Sequence, residues 1–313
     1  MRALLKAVGV ESYPVAIYSG DRRFVREQWP SPQQFNHAIL AVQAPEGADL
    51  PAITEVEGLG RLLFFDPTSQ STAFGWLPEH EQDSWALLVD ADKGRLVRAP
   101  SVEPEANLLR RTIEARLTVD GAMEAKIREV ASGAAAAHNR SLYKEMTEPE
   151  YRRVIERWVA RGTSSAQVAS IQVDAAEPGF SLDVELSAPS YAQSMAGRLL
   201  VFKPALVERR GGLYWDEEDR AYPVTLDADA FEESVRFDLP EGFRLDEKPE
   251  DIGVEKEFGE YTASWRLEEG RLLFQRRLLL RNAVVPAESY NEIREFFSAV
   301  VSAEQAPVVL VKE

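Results

Sequence analysis

The stretch Phe35-Asn36-His37-Ala38-Ile39-Leu40-Ala41-Val42 decides how this chain is read. It is an apolar run of strand length with one imidazole near its start. A second run, Arg61-Leu62-Leu63-Phe64-Phe65, leads into Asp66-Pro67-Thr68. Between them lies a polar stretch with Pro45, Gly47, Pro51, Gly58 and Gly60. Two such runs most simply pair antiparallel, which sets the start of the first beside the end of the second. If Gln43 faces Gly60, the same register sets His37 opposite Asp66. A slip of one residue would turn the two side chains to different faces, and the sequence does not choose between these registers. In the favourable one, an ionised carboxylate selects the ring tautomer and stabilises the imidazolium.

A plainer reading stands beside this. A single histidine in a strand is usually packed or hydrogen-bonded, and Asp-Pro is an ordinary turn entry. A metal is not expected, since two ligands are too few for zinc, and no cofactor is expected either. His80, between Glu79 and Glu81, reads as exposed, and His138 as a packing or surface residue. The run Trp215-Asp216-Glu217-Glu218-Asp219 follows Gly211-Gly212 and lacks calcium-loop spacing, so it reads as a solvated turn. Ser12, Ser19, Ser31 and Thr68 could serve as an oxygen nucleophile only with a suitable elbow, and the chain has no G-x-S-x-G.

Composition bounds the rest. The 313 residues, 45% hydrophobic and 28% charged, have the balance of a globular protein of about two domains. A formal charge of −16 argues against nucleic acid or an anionic membrane as partner. No stretch has the length and apolarity of a membrane span, and the start is not signal-like. The compartment is left open, extracytoplasmic included. There is no cysteine, hence no disulfide and no thiol nucleophile in the chain itself.

Working outward, the first boundary falls near Ala99-Pro100-Ser101-Val102-Glu103-Pro104, giving domains 1–100 and 101–313. Before it, Trp85-Ala86-Leu87-Leu88-Val89 reads as a strand leading to a turn at Asp92-Lys93-Gly94. After it comes a hairpin. Ile113, Ala115, Leu117 and Val119 alternate, Asp120-Gly121 turns, and Met123, Ala125 and Ile127 alternate back. Helices are expected near 134–161, where Thr147 and Glu150 form a capping-box pattern with Pro149 in the first turn. A last helix near 287–303 should bury Tyr290, Ile293, Phe297 and Val300. Strands are expected at 180–186, 198–202, 234–239, 261–267, 271–280 and 308–311.

Asn36-His37-Ala38 with Phe65-Asp66-Pro67-Thr68 resembles the second half of the bacterial transglutaminase-like core. The stretch from Leu4 to Val15 resembles the segment after that family's catalytic cysteine. Gly197-Arg198-Leu199-Leu200-Val201-Phe202-Lys203-Pro204 and Glu304-Gln305-Ala306-Pro307-Val308-Val309-Leu310 resemble the C-terminal region of large bacterial proteins of DUF3857-type architecture. The resemblance implies an α+β, predominantly antiparallel β fold: a partial transglutaminase-like (papain-like cysteine protease) core, then a β-sandwich-like domain with helical insertions. It implies His37 as the catalytic base and Asp66 as its orienting acid, with a cysteine located before Met1. Leu4, Leu5, Val8 and Gly9 fit the back end of a longer helix.

Two functions follow as expectations. In the first, this is the C-terminal portion of an acyl-transfer or amide-hydrolysing enzyme acting on a protein or peptide, inactive alone for lack of its nucleophile. In the second, it is a non-catalytic interaction or scaffold protein with a vestigial His/Asp pair. An incomplete core would leave apolar faces around Phe35, Ile39, Phe64 and Phe65, which predicts a homodimer through the N-terminal region.

Overall fold

A computed structural model describes residues 1–91, 93–209 and 217–313. Asp92 of the expected turn, and Gly211, Gly212, Trp215 and Asp216 of the acidic run, lie outside them. The chain divides into two compact units, Met1–Glu103 and Pro104–Glu313.

The first unit begins with the short helix α1 (Arg2–Ala7) and continues in strands β1 (Ser12–Ile17), β2 (His37–Gln43), β3 (Ile53–Val56), β4 (Gly60–Phe65), β5 (Trp85–Asp90) and β6 (Lys93–Arg98). They form one antiparallel sheet in the order β3-β4-β2-β1-β5-β6. Alternation creates its apolar face: Val15 and Ile17, Ile39 and Ala41, Leu62 and Phe64, and Ala86 and Leu88 are all buried in one cluster. Leu77, Ala52 and Ala99 from the connections complete it. The other face can remain wet, as antiparallel sheets allow.

This corrects the expected transglutaminase-like, papain-like core. Among the described residues of the first unit, the one α-helix is six residues long and buries no side chain, so no helical layer packs on the sheet. The expected antiparallel pairing of the two apolar runs is present as β2 with β4, but a strand pair alone does not determine which layers pack on it. Of the residues expected around open apolar faces, Phe35 and Phe65 are half-buried. Ile39 and Phe64 are 2% and 0% exposed within the unit's own core.

The second unit holds strands β7 (Leu108–Leu117), β8 (Met123–Ala131), β9 (Gln167–Asp174), β10 (Phe180–Ala188), β11 (Gln193–Met195), β12 (Leu199–Phe202) and β13 (Val224–Leu226). Strands β14 (Asp229–Asp238), β15 (Phe243–Glu247), β16 (Ile252–Lys256), β17 (Gly259–Glu268), β18 (Arg271–Leu280), β19 (Ala283–Val285) and β20 (Val308–Lys312) follow. Three helices are interspersed: α2 (Gly133–Glu145), α3 (Glu148–Gly162) and α4 (Tyr290–Gln305).

Eight strands make one sheet in the order β16-β17-β18-β14-β7-β8-β10-β9. Every pairing in it is antiparallel except β7 with β14, which run parallel with Ile113 beside Val235. The β7–β8 hairpin turns at Asp120-Gly121. There Gly121 has φ +88°, and a Cβ would stand 2.4 Å from the Ala192 carbonyl oxygen, so only glycine fits.

One face of this sheet presents Ile113, Ile127, Val184, Val235, Trp265 and Phe274 to a core shared with α3, α4 and strands β12 and β20. Helix α3 opens on the capping box, with the Thr147 N–H donating to Glu150 at 2.9 Å. The second domain is therefore strand-rich, as expected. Its helices and the four-stranded sheet β11-β12-β20-β15 contribute to the core of one large mixed sheet, rather than standing as insertions in a sandwich.

Candidate functional site

His37 opens β2 and pairs with Ile17 at the end of β1. By strand alternation His37 belongs to the row of Ile39 and Ala41, and Asp66 continues the row of Leu62 and Phe64. Both polar residues thus stand where a core-facing row runs off the end of the sheet. The β2–β4 register is Leu40 opposite Phe65 and Gln43 opposite Leu62, two residues from the register that would set His37 against Asp66 directly. A shift of two preserves the face. Asp66 therefore reaches His37 along the diagonal, a distance side chains can span. His37 Nε2 lies 3.3 Å from Asp66 Oδ2.

The acid is held from behind. The Thr68 N–H donates to Asp66 Oδ1 at 2.9 Å and the Thr68 hydroxyl donates to the same oxygen at 2.8 Å. This turn makes Asp66-Pro67-Thr68 rigid and leaves Oδ2 facing the imidazole. Of the expected nucleophile candidates, Thr68 is engaged in this support, and Ser12 is buried in β1.

A third group was not anticipated. Glu81, in the 3₁₀ turn Glu79–Glu81, is 0% exposed and places Oε1 3.5 Å from His37 Nε2. The Gly20 N–H donates to the His80 carbonyl at 3.0 Å, tying the loop after β1 to this turn. Asn36 fixes the same loop, accepting from the Ser19 N–H at 2.7 Å and donating to the Ser19 carbonyl at 3.2 Å. Gln82 anchors the turn by donating to the Leu77 carbonyl at 2.9 Å. The sequence offered one cue to Glu81, an acid inside Pro78-Glu79-His80-Glu81, but nothing in it shows that the loop folds back on His37.

Electrostatically the three are uneven. Burial, reinforced by the negative charge of Asp66, pushes the Glu81 carboxyl up to about 8, with a contact from Ser19 opposing. Neither Glu81 oxygen has a hydrogen-bond partner of normal geometry. His80 stands at the rim with its side chain 60% exposed and Nε2 4.0 Å from Glu81. Its pKa is lowered by burial and by His37, against the pull of Asp66. The side chain of His37 is 25% exposed, so solvent reaches the ring while the acids lie beneath. One potential ligand atom from each of His37, Asp66 and Glu81 lies within 4.8 Å of the others. With both acids on the Nε2 side, Nδ1 is the nitrogen left to exchange a proton with another molecule.

Fold and site define a strand-rich chain with a buried His–acid cluster in its first unit. Residues 198–310 match the model of DUF3858, described as a domain of unknown function with a solved structure. Among solved structures, the chain is similar to one described as a "putative protease" from Parabacteroides distasonis ATCC 8503. The identity is 10% and the TM-score 0.46, over 99% of this chain and 42% of that one. The chain thus spans less than half of that protein's length. No curated protein matches it.

Proposed function

We propose that His37 and Asp66 are the general base and orienting acid of an acyl-transfer or amide-hydrolysing centre of the transglutaminase-like kind. Its thiol nucleophile comes from polypeptide other than residues 1–313, because these contain no cysteine. The observation that carries the reading is the approach of His37 Nε2 to a buried carboxylate that Thr68 holds in place, at 3.3 Å. An acid there favours the Nε2–H tautomer and stabilises the imidazolium formed when Nδ1 takes a proton from a thiol. The thiolate would attack a carboxamide or peptide carbonyl, displacing the amine, to which the imidazolium returns its proton. Water or a second amine would then release the acyl group.

The tautomer tests it. In protein freed of metal with EDTA, ¹⁵N spectra of the imidazoles should show neutral His37 as the Nε2–H form, and Asp66→Asn should turn it into a mixture. A neutral His37 protonated on Nδ1 would remove the base role.

A further inference from the structure

We infer that His37, Asp66 and Glu81 form a mononuclear site for a divalent transition-metal ion of the zinc class, ligated by His37 Nε2 and one oxygen from each carboxylate. The distances carry it. His37 Nε2 stands 3.3 Å from Asp66 Oδ2 and 3.5 Å from Glu81 Oε1. Both exceed an ordinary N–H···O hydrogen bond, and a single N–H cannot point at two oxygens. Two ligand atoms about 2.1 Å from a tetrahedral ion lie about 3.4 Å apart, which is the spacing of both His37 contacts.

The state of Glu81 is the second, independent observation. It is 0% exposed, neither of its oxygens has a hydrogen-bond partner of normal geometry, and it points at the imidazole. A buried acid left without partners is costly, and a cation in the cluster removes that cost. Support from outside is already built. Thr68 binds Asp66 Oδ1 through its N–H and hydroxyl, at 2.9 and 2.8 Å, with the hydroxyl also 3.1 Å from Oδ2, an outer contact of the kind that orients metal-bound carboxylates.

The choice of ion follows from the donors. An imidazole with two carboxylates suits zinc or manganese, whereas magnesium and calcium take oxygen-only sites. Three protein ligands leave a fourth position for water or a substrate. The inference does not depend on where any nucleophile comes from. The base role proposed above belongs to the metal-free protein, because an ion on Nε2 fixes the proton on Nδ1.

The test is calorimetric titration of the tag-free full chain, stripped with EDTA, with zinc chloride and, separately, with calcium chloride. One equivalent of zinc should bind saturably. Affinity should fall at least about tenfold to a hundredfold in His37→Gln and Glu81→Gln and stay within twofold of wild type in His138→Ala, a change at an exposed and unrelated histidine. Because Glu81→Gln removes a buried acid, it should fold at least as well as the parent, and circular dichroism checks this. Three results would overturn the inference: no saturable zinc binding, zinc binding unchanged in both site variants, or calcium binding as tightly as zinc. The last would mark attraction to a chain of charge −16 rather than to a site.

Discussion

In residues 104–313 the guanidinium of Arg111 is fully buried and meets three carboxylates: Glu233 at 2.9 Å, Glu129 at 2.6 Å, and Glu208. Arg276, equally buried, meets Glu233 at 2.8 Å and Glu304 at 2.8 Å, and donates to the Val207 carbonyl at 3.0 Å. Both guanidinium groups lie over the Phe231 ring at 4.9 Å. In residues 1–103, Glu81 is buried as deeply but has one imidazole and a second acid for company. The same expensive act, taking charge out of water, is thus handled in two ways. The arginine network supplies opposite charge and hydrogen bonds at once and fixes the helix α4 and the loop at Val207 to the sheet, although burial still raises the pKa of Glu129. Burial works against ionisation of Glu208, yet Arg111 holds its pKa below the usual carboxylate range. At Glu81 the one opposing contact, from Ser19, does not outweigh the burial, and the acid's pKa is pushed up instead. The difference teaches that a compensated cluster marks architecture, while an uncompensated one marks a place where a ligand or a proton belongs.

That contrast can be broken at its strong end first. Arg111→Met leaves Glu129, Glu208 and Glu233 without their common cation and should cost about 3–5 kcal/mol of stability in urea unfolding. A loss under about 1 kcal/mol would mean that the network is not what compensates these acids. The weak end is tested through pH. In metal-free protein Glu81 holds its proton up to about pH 8 when folded, but only to about 4.5 when unfolded. Unfolding therefore releases a proton between those values, and stability falls as pH rises through that window. The expected slope is about 1.4 kcal/mol per pH unit, and it should be absent in Glu81→Gln. Parallel stability–pH curves for parent and variant would show that Glu81 is ionised in the folded state.

Smaller effects sharpen the picture. Thr68→Ala removes the hydroxyl that steadies Asp66 and should destabilise the first unit by about 1 kcal/mol, measured by thermal melting. On the exposed face of the large sheet, Glu114 and Arg236 pair at 2.9 Å with both side chains about half exposed. A double-mutant cycle there should give about 0.5 kcal/mol or less, and less still in high salt. A coupling above 2 kcal/mol would erase the distinction between buried and solvated pairs on which the comparison rests.

Strong local patterns were readable in the sequence. Alternation and Asp120-Gly121 located the β7–β8 hairpin, and Thr147 with Glu150 marked the start of α3, because such signals act between near neighbours. In α4 the buried residue is Phe296, with Phe297 half-buried, a one-position error that a flat apolar pair invites. The contact of His37 with Asp66 was anticipated, though through a register two residues away from the real one; parity rather than register made it come true. Glu81 was out of reach, since its burial depends on a loop closing through Gly20 and His80 backbone groups that carry no residue-specific signature. Short strands such as β3 and β16 and the parallel pairing of β7 with β14 were equally hidden, for they depend on partners far along the chain. The family fold failed for a related reason: a strand pair and two polar residues do not determine which layers pack upon them.

The parallel seam sets the order in which this polypeptide can assemble. Strands β7 and β8 can close as a hairpin as soon as they are made, as can β17 and β18. The two halves of the sheet join only where β7 meets β14, with Arg111 paired to Glu233 across 122 positions of chain. Such a distant junction carries a large loop-closure cost and forms late. While the ribosome is still extending the chain towards Asp238, the inner edge of β7 has no neighbour. Arg111, already paired with Glu129 inside the hairpin, keeps that waiting edge charged until Glu233 arrives.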